Sequence, residues 1–113
     1  MPNVDLNDWI RRIRSPNAAT FEDAYYGDRP EGDEVVPRLI DEMHASADTY
    51  TRGKFAELLG EMDDERAVPH LVAELAHPDS EMRGWALRAL SELATPAAAE
   101  AARRHREQHP EDG

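Results

Sequence analysis

The most regular pattern of apolar residues in the chain lies between residues 65 and 93. Its first half has apolar residues at the helical spacing i, i+3, i+4 and i+7, namely Val68, Leu71, Val72 and Leu75. Its second half has a similar stripe, formed by Met82, Ala86, Ala89, Leu90 and Leu93. Pro78 separates the two halves, because a proline disfavours the helical conformation of the residue before it. The pattern predicts two helices that pack as a hairpin and need neighbours to bury their outer faces.

The same pattern occurs 31 or 32 residues earlier, which indicates an internal repeat. The first stripe there is Val36, Leu39, Ile40 and Met43, and the second is Phe55, Leu58, Leu59 and Met62. A weaker copy lies 62 residues before the central one, with the stripe Leu6, Trp9, Ile10 and Ile13. Pro16 falls on Pro78 in this alignment, so the turn keeps its register as well. The sequence therefore predicts a short helical array.

We expect a single all-α domain over residues 1–113. Its predicted parts are a degenerate repeat at 5–27, clear repeats at 33–62 and 65–94, a cap helix at 95–108 and a frayed tail at 109–113. The predicted helices span about 5–14, 16–26, 34–46, 48–61, 65–76, 79–94 and 95–108. No strand is expected.

Residues at the predicted helix ends suggest local structure. Ser15 is a favoured N-cap residue, and Pro16 fits the first helical position, where its missing N–H is no loss. Gly27 is expected to close the second helix in a left-handed conformation. The acidic loop 27–34 is either a spacer or a binding loop. The carboxylates of residues 63–65 either complement a helix dipole or contact a basic partner.

The run from Arg52 to Leu90 carries a family resemblance. Its matching positions are Arg52, Leu59-Gly60, Asp63-Asp64, Ala67-Val68-Pro69, Leu71, Leu75, Pro78-Asp79, Arg83, Ala86 and Leu90. Over residues 33–94 the chain resembles HEAT-like repeats of the phycobilisome-lyase type. The resemblance implies a short right-handed α-α superhelix that serves as an interaction scaffold, with the second helices lining a concave surface. It also implies that Arg52 and Arg83 pair with an acidic residue of an adjacent repeat, with Asp63 or Asp64 as the expected partner.

Composition narrows the classes of partner. The chain has 113 residues, no cysteine and a formal net charge of −11. This charge repels phosphate backbones and anionic lipid surfaces and attracts basic proteins. The absence of cysteine fits a reducing compartment, and neither a secretory signal nor a run long enough to span a membrane is visible. We therefore expect a cytoplasmic monomer or weak homodimer that binds a basic protein and neither nucleic acid nor membrane.

The sequence offers no convergent set of catalytic groups. It lacks a Gly-x-Ser-x-Gly elbow, a phosphate-binding glycine loop and a His-Glu-x-x-His helix. His105 and His109 are four residues apart, but no third metal ligand is evident near them. His70 and His77 share a helix side, where packing is the expected role. We therefore predict no catalytic residue, no metal site and no cofactor.

Trp85 is the most informative candidate for binding. It lies to one side of the apolar stripe of its helix, and Lys54 occupies the equivalent position one repeat earlier. Aromatic side chains among carboxylates are typical of an interaction hot spot with a polar rim. The predicted partner-binding residues are Tyr26, Tyr50, Lys54, Glu57, Glu61, Glu81, Trp85, Arg88 and Glu92. The alternative is that Trp85 packs beneath the C-terminal cap helix.

Three classes of function fit these observations. The first is a non-enzymatic protein-binding module, in its sharpest form an inhibitor or immunity protein for a basic toxin such as a nuclease. The second, implied by the resemblance, is an accessory subunit of a bilin lyase or a general assembly factor. The third is a nucleic-acid repair enzyme, since some DNA glycosylases use HEAT-like arrays. The negative charge argues against this third class, because binding of nucleic acid needs a basic groove.

Overall fold

The computed structural model of the chain describes residues 4–112. It contains seven α-helices: α1 (Leu6–Ile13), α2 (Ala18–Tyr26), α3 (Val35–Ala45), α4 (Thr49–Glu61), α5 (Val68–Glu74), α6 (Ser80–Glu92) and α7 (Pro96–Gln108). Short 3-10 turns cover Glu65–Ala67 and Pro110–Asp112. No strand occurs within residues 4–112, so the all-α prediction is confirmed.

Polar side chains define where most helices begin. In each case an oxygen of the cap residue accepts a hydrogen bond from a backbone N–H of the first turn. The cap residues are Asp5, Asn17, Asp48, Asp64, Asp79 and Thr95. The prediction of Ser15 as a cap is wrong, because Asn17 takes that role and α2 therefore begins after Pro16. The Ser15 hydroxyl instead accepts from the N–H of Asn17.

The glycine after α2 also differs from the prediction. Gly27 has φ −93° and ψ −155°, which is extended backbone and not the left-handed conformation that was expected. A Cβ atom at this position would lie 2.3 Å from the carbonyl oxygen of Asp23. The glycine is therefore required by a close approach of the backbone, and the only described glycine with a positive φ in residues 4–112 is Gly32.

Residues up to Val35 form one compact unit. Within it α1 packs against α2, and the Trp9 side chain is fully buried. The indole N–H of Trp9 donates a hydrogen bond of 3.0 Å to the carbonyl oxygen of Ala24. This bond satisfies the polar end of a buried aromatic side chain and joins the two helices.

Residues from Val36 onwards form a second compact unit, in which α4 and α6 lie side by side. Two glycines of α4 permit this close approach. A Cβ at Gly60 would lie 2.9 Å from the Cα of Ala89, and a Cβ at Gly53 would lie 2.5 Å from the indole of Trp85. α6 also packs against α5 and α7. The division into two units leaves the single-domain interpretation a prediction.

The predicted apolar stripes form most of the core of this second unit, but Met62 is only half-buried and Val72 is exposed. All five stripe residues of α6 are buried, as are Leu71 and Leu75 of α5. Val72 is 39% exposed, whereas its equivalent Ile40 is only 7% exposed. The prediction of Val72 as a core residue is therefore wrong. Its helical spacing was right, but that side of α5 borders an open cleft.

The end of the chain corrects another prediction. Residues 109–113 were expected to be frayed, yet Pro110–Asp112 forms a 3-10 turn. The Asp112 side chain is only 4% exposed, because it pairs with α6 and α7. Gly113 lies outside the described residues.

Candidate functional site

The second helices of the two repeats bring most of the predicted site residues onto one surface, the α4–α6 face. From α4 it includes Tyr50, Lys54, Glu57 and Glu61, and from α6 it includes Glu81, Trp85, Arg88 and Glu92. Each set is spaced four, three and four residues apart, so that helix geometry places it along one side of its helix.

Trp85 occupies the middle of this face. Its side chain is half-buried, and its indole lies directly on Gly53 of α4. The contact covers part of a side chain that lies to one side of the apolar stripe of its helix. The alternative, packing beneath the cap helix, placed the contact on α7, whereas the contact on Gly53 belongs to the preceding repeat. Gly53 therefore determines the position of the indole, because a side chain at residue 53 would occupy the same space.

Two cationic side chains, Lys54 and Arg88, lie against the aromatic rings. The Lys54 Nζ atom lies 5.1 Å from the centroid of the Tyr50 ring and 5.0 Å from that of Trp85. The Arg88 guanidinium carbon lies 5.1 Å from the Trp85 ring. Each such contact stabilises by about 0.5–1 kcal/mol at an exposed site. Tyr50 is 61% exposed, so its ring faces solvent although it contacts Lys54.

Carboxylates gather beside these aromatic residues. Burial and the negative charges of Glu61 and Glu92 raise the pKa of the Glu57 carboxyl above its ordinary value, while Arg88 acts in the opposite direction. A raised pKa means that the charged form of Glu57 is disfavoured in the free protein. A cation from a partner would relieve this repulsion.

Two predicted site residues lie apart from these contacts. Glu81 is exposed in the first turn of α6, where its backbone N–H donates to the cap residue Asp79. Tyr26 is 77% exposed at the end of α2 and packs edge-on against Tyr25. Tyr26 belongs to the N-terminal unit, so its part in one continuous surface stays a prediction.

Arg52 forms what we call the first joint, which links α4 to the next repeat. Its Nε and Nη2 atoms donate to the two carboxylate oxygens of Glu74 over 2.6 and 2.7 Å. Its Nη1 atom donates to the carbonyl oxygen of Ser46. The expected partners Asp63 and Asp64 are wrong, although the prediction of an acidic residue in the adjacent repeat is right. The hydrogen bond to Glu74 raises the pKa of Arg52 and holds its charge in place.

Asp63 and Asp64 have local structural roles instead. Asp64 accepts from the N–H and the guanidinium of Arg66, which lowers the pKa of its carboxyl. Asp63 has a φ of +52°, and its Oδ1 atom accepts from the N–H of Ala94. The acidic group at 63–65 is therefore used to shape the turn between repeats.

Arg83 forms the second joint; the prediction of an acidic partner is right, but the partner is Asp112 and not Asp63 or Asp64. Its Nε atom donates to Oδ2 of Asp112 over 3.0 Å, and Nη1 donates to the carbonyl oxygens of His77 and Pro78. The same Asp112 oxygen lies 2.8 Å from Nε2 of His105. Both hydrogen bonds lower the pKa of Asp112. The spacing between Arg83 and Asp112 differs from that between Arg52 and Glu74, so the repeat alignment does not point to Asp112 as the partner.

The histidines serve packing and hydrogen bonding. The His105 and His109 rings stack with centroids 4.7 Å apart, and Nε2 of His44 lies 2.9 Å from Nδ1 of His70. Over residues 4–112 no group of three or more metal-ligating side chains is arranged to hold an ion.

The helices formed by residues 4–112 are too short or too polar to cross a lipid bilayer. No curated protein and no solved structure matches the chain significantly. The family described as HEAT repeats matches residues 36–112, the segment that contains both joints and the α4–α6 face. The finer likeness to the phycobilisome-lyase type stays a prediction. The match covers more than half of the sequence and agrees with the all-helical structure, and so the chain belongs to the HEAT repeat family.

Proposed function

We propose that this chain is a non-enzymatic protein-binding module whose α4–α6 face engages a basic partner. The observation that carries the proposal is the seating of Trp85 on Gly53, between Lys54 and Arg88. An aromatic side chain that is already held in place loses little conformational entropy on binding. Such residues are typical of binding hot spots.

The charge of this face supports a basic partner. Glu57 is half-buried near Glu61 and Glu92, and the whole chain carries a formal net charge of −11. A positively charged protein would be steered towards such a surface and would relieve the repulsion around Glu57. HEAT repeats are in general protein-interaction scaffolds, which agrees with a binding role.

The most concrete form of the proposal is an inhibitor or immunity-type protein that binds a basic toxin in the cytoplasm. In this form the chain acts as a monomer or weak homodimer, and Tyr26 and Glu81 contribute at the edge of the interface. The alternative is an accessory subunit or assembly factor, which the repeat family alone would support. A repair enzyme is disfavoured by the net charge.

The test is affinity capture from cells that contain the native gene neighbourhood, with four immobilised forms of the full chain. These are the parent, Trp85→Ala, the double variant Glu57→Lys/Glu92→Lys, and the control Asp41→Lys/Glu65→Lys. The control makes the same change in net charge at exposed positions of α3 and the 65–67 turn. Mass spectrometry identifies the captured protein, and binding kinetics at several salt concentrations follow.

We expect the parent and the control to capture one basic protein that the other two variants lose. Trp85→Ala should weaken binding by about 2 kcal/mol or more. The Glu57→Lys/Glu92→Lys variant should mainly slow association and reduce its salt dependence. Equal capture by all four forms would remove the α4–α6 face from the account and make the 27–34 loop the next candidate.

A further inference from the structure

A cleft of about 640 Å³ lies between α5 and α7 and is bordered by the 110–112 turn. One wall is apolar, with Val72 and Leu75 from α5 and Ala101 from α7. The exposure of Val72 follows from this arrangement, because α7 presents an alanine on the facing side of the cleft. The volume lies within the range of ordinary ligand sites, about 300–1,000 Å³.

The second joint borders the same cleft, and it has no acid at the position equivalent to Glu74 of the first joint. The 31-residue offset that relates Arg52 to Arg83 also relates Glu74 to His105. At the position equivalent to Glu74, α7 therefore carries His105, which donates a hydrogen bond as arginine does and cannot serve as the acid. Asp112 supplies the missing carboxylate from outside α7 and accepts from both Arg83 and His105.

The Arg83 guanidinium is fixed in position, but not all of its donors form hydrogen bonds. Its Nη1 atom is fixed by the carbonyl oxygens of His77 and Pro78, independently of Asp112. In the first joint Nε and Nη2 both bind Glu74, whereas Asp112 engages Nε alone. Within residues 4–112, Nη2 of Arg83 has no hydrogen-bond acceptor. The guanidinium is thus already oriented to bind a carboxylate, and its Nη2 atom is available as a second donor.

Other donors line the cleft. The N–H of Asp79 donates to Nδ1 of His77, so the neutral His77 ring carries its proton on Nε2. Arg104 also borders the cleft and is 70% exposed, with one long contact of 3.3 Å to Glu100. The lining also includes the acid Glu111, whose side chain is 64% exposed. The arginine and histidine donors beside an apolar wall complement a carboxylate that is attached to an apolar group.

We propose that this cleft binds a carboxylate-bearing apolar peptide segment of a partner protein, and that Asp112 is its displaceable internal occupant. The chemistry copies the first joint, where Arg52 receives Glu74 from a helix that buries Leu71 and Leu75 on the same side. This site is separate from the α4–α6 face and stands independently of its function.

The test uses the ¹⁵N-labelled full chain and an acetylated, amidated peptide with the sequence of residues 67–76, which contains that glutamate and both leucines. A control peptide has glutamine in place of the glutamate. Parent, Asp112→Asn, Arg83→Gln and His105→Glu chains are titrated by NMR. His105→Glu returns an acid to the register position, so it keeps the proposal testable if Asp112→Asn unfolds.

We expect backbone shifts confined to the cleft, including Val72 and Ala101. Removal of the internal competitor in Asp112→Asn should tighten binding about tenfold. Arg83→Gln and His105→Glu should abolish binding, and the glutamine peptide should bind at least about tenfold more weakly. Equal affinity of both peptides, or of the parent and Asp112→Asn, would overturn the proposal. So would concentration-dependent dimerisation of Asp112→Asn in sedimentation, since the occupant would then be a second copy.

Discussion

The two joints use arginines at equivalent repeat positions, Arg52 and Arg83, but differ in how the carboxylate binds them. Arg52 is closed by both oxygens of Glu74, and the two side chains are 15% and 6% exposed. Arg83 is held by a single oxygen of Asp112, and a cleft remains beside it. The glycines that follow the arginines differ in the same way. Gly53 is covered by Trp85, whereas a Cβ at Gly84 would meet nothing within 4 Å.

The difference shows what a following repeat contributes. α5 and α6 together supply the acid for Arg52 and the aromatic ring for Gly53, so the first joint also builds the α4–α6 face. Beyond α6 the acid comes from the 110–112 turn. In the second joint, where α7 supplies no acid, a cleft therefore stays open beside the arginine.

The largest expected effect concerns the acid of the first joint. Glu74→Gln should lower the free energy of unfolding by about 3–5 kcal/mol, because it leaves the enclosed Arg52 without its counter-charge. Asp112→Asn should lower the free energy of unfolding less, because Arg83 donates to only one oxygen of Asp112 and is more exposed than Arg52. Urea denaturation of both variants measures this. An equal or greater loss in Asp112→Asn would contradict the ranking of the two joints.

Substitutions of apolar residues distinguish the buried core from the edge of the cleft. Leu71→Ala, Leu90→Ala and Ile40→Ala should each cost about 2–5 kcal/mol through lost burial and a cavity. Val72→Ala should cost less than about 1 kcal/mol, because its side chain already borders the cleft. The same denaturation experiment applies. If Val72→Ala were as costly as Ile40→Ala, the cleft would be closed in solution.

The two glycines give a matched pair of smaller effects. Gly84→Ala should raise the free energy of unfolding by up to about 1 kcal/mol, because alanine favours the helix and its methyl group enters open space. Gly53→Ala should lower it by about 1–3 kcal/mol, because the added methyl group collides with Trp85. Two variants that both gained stability would show that the indole does not rest on Gly53.

The smallest effect is the pH dependence of Glu57. Its pKa is raised in the folded state, so its charge lowers stability once the pH rises above the ordinary glutamate value of about 4.3. Glu57→Gln should therefore raise the melting temperature slightly at pH 7, and this gain should fade below about pH 4. Melting curves at several pH values check both parts. A lower melting temperature at pH 7 would mean that the charge of Glu57 stabilises the free fold.

Sequence periodicity identified all seven helices of the described residues, since α-helices depend on local spacing, but α5 is shorter than the predicted 65–76 because a 3-10 turn precedes it. It located α4 and α7 to within a residue or so and identified the buried stripe of α6. It also grouped Tyr50, Lys54 and Trp85, because positions four residues apart share a helix side.

The missed features depend on contacts between distant segments. Glu74 is 22 residues from Arg52, and Asp112 is 29 residues from Arg83, so no local pattern links the pairs. The burial of Trp85 depended on a glycine in another helix, which lies outside the apolar stripes. A comparison of Glu74 with His105 in the repeat alignment was the one available signal for the altered second joint.

We expect partner binding to depend on the contact of Trp85 with Gly53, because this contact links the packing of the repeats to the proposed interface. This dependence is tested most directly by the dissociation constant of the captured partner for parent, Gly53→Ala and Gly84→Ala chains, each checked for folding by its melting curve. We predict that Gly84→Ala binds like the parent and that Gly53→Ala binds at least about tenfold more weakly while still folded, because the indole is displaced. Parent-like binding by a folded Gly53→Ala chain would contradict the claim.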